Sequence, residues 1–89
     1  MDIIPSRAKG KRFKAVFVDG RPSINFGSKG GSTFIDHGDR DKRKAYISRH
    51  RVNENWNAVN AGSLSKFLLW GDSTSLSANK KSYENRFNL

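Results

Sequence analysis

The sequence predicts an α+β fold, with an N-terminal β-hairpin or small three-stranded antiparallel sheet followed by about three helices. Three observations predict it. Asp19-Gly20, a pair comfortable at positive φ, sits between two alternating segments. Acidic residues precede and basic residues follow the stretch from Arg40 to Arg51, the charge order that a helix dipole favours. Apolar residues then recur at helical spacing, first as Leu64, Phe67 and Leu68 and later as Leu76, Tyr83 and Phe87.

The hairpin spans Phe13 to Phe26. With Asp19 and Gly20 as its loop, Val18 pairs with Arg21, Phe17 with Pro22, Ala15 with Ile24 and Phe13 with Phe26. One face then carries Phe13, Ala15, Phe17, Ile24 and Phe26, and the other carries Lys14, Val16, Val18, Arg21, Ser23 and Asn25. Pro22 lacks a backbone donor, so an open strand edge is expected there. Gly27 to Ser32 reads as a flexible connector, and Thr33-Phe34-Ile35 has the composition of a short third strand.

Asp36 or Asp39 is expected to cap a helix running to about Val52, with Arg40, Lys44 and Arg51 clustered on one side of it. The Asn-rich segment around Trp56 ends that helix. Asn60 or Ser63 caps a short core helix that Gly71 stops, and the run Asp72 to Ser75 caps the last one. The domain reading is a basic arm over residues 1–10 and a single domain over 11–89.

Composition limits the function. A chain of 89 residues holds one domain, and its formal net charge of +9 favours a polyanionic partner. Ten aromatic side chains spread from Phe13 to Phe87 favour an ordered fold over a disordered basic tail. The absence of cysteine excludes disulfides and thiolate metal sites and suits an intracellular or virion-interior setting. The longest apolar run, Phe67 to Trp70, is far too short for a membrane span, and no signal peptide or glycosylation sequon is expected.

The candidate binding residues are the cations of two blocks and a loop: Arg7, Lys9, Lys11, Arg12 and Lys14, then Lys29, then Arg40, Arg43, Lys44 and Arg51. Trp56, in a polar setting, is the candidate interface aromatic, whereas Trp70 reads as core. The Gly27–Thr33 segment has the residue types of a phosphate loop but not the order of a Walker motif. His37 and His50 have no metal-ligand spacing, and His50, Asn53 and Asn55 lack the carboxylates of a metal-dependent nuclease. No cofactor and no catalytic residue is expected.

The run Lys11-Arg12-Phe13, Phe26 to Gly30, Thr33 to His37, Asp41 to His50, Glu54-Asn55-Trp56, Ala61 to Ser65 and Leu68-Leu69-Trp70 resembles a group of small basic proteins encoded by large double-stranded DNA viruses of algae and protists. Those proteins have no assigned function. The resemblance covers about Lys11 to Trp70, and Gly31 and the tail beyond Asp72 depart from it. It implies a viral setting and a place in the virion after synthesis in the host cytoplasm or nucleus. A minor capsid or cement protein docked on other virion proteins, such as the major capsid protein, is the expected role. A sequence-nonspecific DNA- or RNA-binding role in packaging or replication is the alternative.

Overall fold

A computed structural model describes all residues, 1–89. Its elements are β1 (Asp2–Pro5), β2 (Lys11–Val16), β3 (Ile24–Ser28), α1 (Phe34–His37), α2 (Arg40–His50), α3 (Ala61–Leu64) and α4 (Leu76–Phe87). A π-helical turn, Ser65–Leu69, continues α3 without a break. The sheet is antiparallel, three-stranded and ordered β1-β2-β3, which with the helices gives the expected α+β arrangement.

The hairpin has the expected register, Phe13 opposite Phe26 and Ala15 opposite Ile24. Its ladder stops sooner than expected. Residues 17–23 form a loop, and Pro22 lies in it rather than on a strand edge, because a residue without an N–H adds nothing to a ladder. Period-2 alternation still sorts the faces, with Ala15, Phe17 and Phe26 buried and Val18 86% exposed.

The third strand is not the expected one. Thr33-Phe34-Ile35 enters α1 instead, since Asp36 accepts from both the backbone N–H (2.8 Å) and the hydroxyl (2.9 Å) of Thr33 and fixes a helix start. The sheet is completed by Asp2–Pro5, so residues 1–10 are not a separate arm. Ile3 faces Ala15 across the ladder, Met1 and Ile3 join the core, and the Met1 ammonium meets Glu84 of α4 at 3.2 Å.

One core lies between the sheet and the C-terminal helices: Met1, Ala15, Phe17, Phe26, Leu64, Leu68, Leu69 and Tyr83. Asn60 caps α3 through the Ser63 N–H at 2.8 Å, and the Ser63 hydroxyl bonds the Tyr83 hydroxyl at 2.8 Å. That bond gives the buried phenol of α4 a polar partner. Ser75 caps α4, and Asp39, not Asp36, caps α2.

Candidate polyanion-binding surface and the cleft beside it

α2 is the least apolar helix of the fold, and it is held by one narrow stripe. Arg43, Tyr46, Ile47 and His50 recur at i, i+3, i+4 and i+7 and are the helix residues not left exposed. Tyr46 stacks on Trp70 (ring centroids 4.4 Å apart, planes 6° apart), and His50 stacks on Tyr46 from the other side at 4.1 Å. The Arg43 Nε donates to the carbonyls of Trp70 (3.1 Å) and Gly71 (2.9 Å), and its Nη2 reaches Asp72 at 2.9 Å. Arg43 thereby satisfies carbonyls that the end of the π-helical turn would otherwise leave unpaired.

Everything else on α2 faces solvent. Arg40 and Lys44 lie along one flank, which Arg51 continues past the helix end, Lys42 and Arg49 lie along the other, and Asp41, Ala45 and Ser48 lie between them, followed by Val52 in the next turn. Val52 is 77% exposed.

The other candidates divide. Arg12 forms a fork with Asp36, at 2.7 and 2.8 Å, and like Arg43 it is spent inside the chain rather than free for a partner. Lys9, Lys11 and Lys29 gather at one end of the sheet, where the Lys29 N–H bonds the Gly10 carbonyl at 3.0 Å and Lys11 pairs with Ser28. Arg7 and Lys14 line one hollow together with Ile4, Pro5 and Asn25 of the sheet. Trp56 is not a free anchor: it is half-buried, its Nε1 donates to Glu54 at 2.8 Å, and the Lys66 ammonium lies 5.4 Å from its ring.

The Arg12 fork holds the Asp36 carboxyl well below the usual carboxylate range, with the hydrogen bonds from Thr33 adding to it. A carboxyl depressed on folding stabilises above its unfolded value near pH 4, and that contribution is lost as pH falls below it. Both partners are partly in solvent, which screens the pair. Asp36→Asn is therefore expected to lower stability at neutral pH by on the order of 1 kcal/mol and to flatten the acid limb of the stability profile below about pH 4. Urea melts at neutral and acid pH measure it, and an equal loss in both would contradict the linkage.

Between the sheet end and α2 lies a cleft of about 360 Å³. Its walls are the Gly27–Thr33 segment, the start of α3, and the Trp70–Tyr46–His50 column, with Lys11 at one side. Glu54 closes it, one carboxylate oxygen 2.7 Å from His50 Nδ1 and the other accepting from Trp56. Gly62 permits this approach, since a Cβ there would stand 2.9 Å from Glu54 Oε1. Burial, and then the Glu54 charge, push the Tyr46 hydroxyl well above the ordinary phenol range. No group of three His, Cys, Asp or Glu is placed to hold a metal ion, and no helix is long and apolar enough to cross a membrane.

Sequence reasoning missed this column. Tyr46 and His50 are readable as i, i+4 neighbours, but nothing local announces that Trp70 inserts beside them. Neither a curated protein nor a solved structure matches the chain. The family model that does match covers residues 1–50, more than half of the chain and the whole run from β1 to the end of α2. The exposed cations of sheet and helix thus lie almost entirely within one recognised unit, and the chain belongs to this family of unknown function, DUF5754.

Proposed function

We propose that this protein is a non-enzymatic structural component of the particle of a large DNA virus, docked on an acidic protein surface through α2. The observation that carries the reading is the exposed side of that helix. Small side chains at Ala45 and Ser48, with Asp41 among them and Val52 in the turn just past the helix, are flanked on both sides by cations, an arrangement that suits a protein interface with a charged rim. The viral setting in this proposal is taken from the resemblance of the sequence to small basic viral proteins. At the cleft, both Glu54 oxygens are engaged, one by His50 and the other by Trp56, which suits a structural role for this carboxylate.

A second reading follows from the same flanks. Two rows of cations with small side chains between them also match the two phosphate strands that border a DNA major groove about 12 Å wide. No aromatic platform for single strands accompanies them, because the rings of α2 face inward.

Mass spectrometry of purified particles, separated into DNA-free shells and core near physiological salt, decides between them. Recovery in the shells at a fixed ratio to the major capsid protein is expected. The variant carrying Lys44→Glu, Arg49→Glu and Arg51→Glu is expected to keep its fold and to fall about ten-fold or more in shell incorporation. Recovery with the core, with release as salt rises, would overturn the docking reading in favour of genome binding.

A further inference from the structure

The surface opens a second time between the π-helical turn and α4, into a pocket of about 460 Å³. The turn contributes Lys66 and Phe67, and α4 contributes Ser82, Asn85 and Arg86, whose i, i+3, i+4 spacing puts them on one face. Phe67 gathers two cations. The Lys66 ammonium lies 4.5 Å and the Arg86 guanidinium carbon 4.3 Å from its ring centroid.

Neither cation joins an ion pair; the five ion pairs of the chain use other groups. Asp72, exposed at the rim, accepts from Arg43 through one carboxylate oxygen. Asn79, also on the wall, is spent on the Leu68 and Ser73 carbonyls and the Ser73 N–H. The Ser82 hydroxyl and the Asn85 amide make no hydrogen bond within the chain, so the pocket presents two neutral donors beside its two cations. The Lys66 ammonium is held below the ordinary lysine range, by burial first and then by Arg43, with Arg86 acting in the same sense and Asp72 opposing. A bound anion would relieve that repulsion.

We propose that this pocket binds a phosphate group. Lys66, the Arg86 fork, Ser82 and Asn85 offer donors from a turn and a helix face, more than the two oxygens of a carboxylate can take, and a guanidinium fork matches two phosphate oxygens. Free phosphate and a phosphate ester share this chemistry. The site is independent of the exposed face of α2, so failure of the docking reading leaves it standing.

The test is an NMR titration of the full chain with inorganic phosphate and, separately, with a short DNA duplex, each against chloride at matched ionic strength. Saturable shifts are expected at the amides of Lys66 to Asp72 and Ser82 to Arg86. Lys66→Gln and Arg86→Gln are each expected to weaken them about ten-fold, while the α2 charge-reversal variant retains them. Arg86 is exposed, so its replacement leaves the core intact. Saturation by inorganic phosphate assigns a free anion, and saturation by the duplex alone, still lost in both glutamine variants, assigns an ester. Absence of saturable shifts with either probe, or shifts that both glutamine variants preserve, overturns the proposal.

Discussion

Gly71→Ala is expected to destabilise the protein by on the order of 3 kcal/mol or more, a large part of what a domain of this size has. Gly71 is buried at the end of the π-helical turn. An added Cβ would run into the Phe67 carbonyl, which belongs to the turn itself, and would stand 2.9 Å from Asn79 Oδ1. Neither neighbour can give way. Asn79 is fixed by its amide bonds to Leu68 (3.0 Å) and Ser73 (2.7 Å), and Arg43 holds the Gly71 carbonyl from the third side. Relief therefore requires the turn to unwind, which would uncover Leu68 and Leu69, both buried in the core. Thermal melts of the variant and the parent measure this, and a midpoint within about 2 °C of the parent would refute the steric account.

What the sequence reveals and what it conceals follow from the range of the interactions. The hairpin register and the core face were legible because alternation is local and a one-residue slip would expose Ala15 and Phe26 together. The caps at Asp39, Asn60 and Ser75 were each among the residues the local pattern offered, and the fold chose between those and Asp36, Ser63 and the rest of the Asp72–Ser75 run. Asp2–Pro5 was not, since four residues ending in proline carry little alternation and the basic block after them dominates the composition. Thr33 to Ile35 was misread because β propensity is weak, and the contact from Asp36 back to Thr33 outweighs it.

The candidate surface shows the same limit. Counting cations finds the blocks, but Arg12 is committed to a carboxylate 24 positions away and Arg43 to one 29 positions away, and no local pattern announces either pair. Of the candidate cations, those left exposed are the ones for which the fold supplies no acid. Lys66 and Arg86 escaped notice because each stands alone in sequence, and only the packing of the turn against α4 brings both to Phe67.

Trp70→Ala is expected to cost about 3 kcal/mol, toward the lower end for a tryptophan because the ring is only half-buried, and to release α2 before the rest of the fold. Trp70 carries the Tyr46–His50 stack on one side and meets His37 edge-on at 5.5 Å. His37 Nδ1 accepts from the Asp39 N–H at 2.8 Å, which leaves its proton on Nε2, buried with no oxygen or nitrogen to receive it. Trp70 thus packs against both α2 and the turn that caps it. An 11-residue helix as polar as α2 is marginal on its own, and its amides are expected to lose hydrogen-exchange protection while those of β2 and β3 keep most of theirs. Trp70→Phe is expected to recover much of the loss, since the stack needs a ring more than an indole. If the α2 amides kept full protection in the alanine variant, the helix would be held by Arg43 and Ile47 alone. Partner binding through α2 would then be insensitive to the aromatic column. The docking reading requires the opposite, because the cations of α2 select a partner only while the helix that spaces them is held in place.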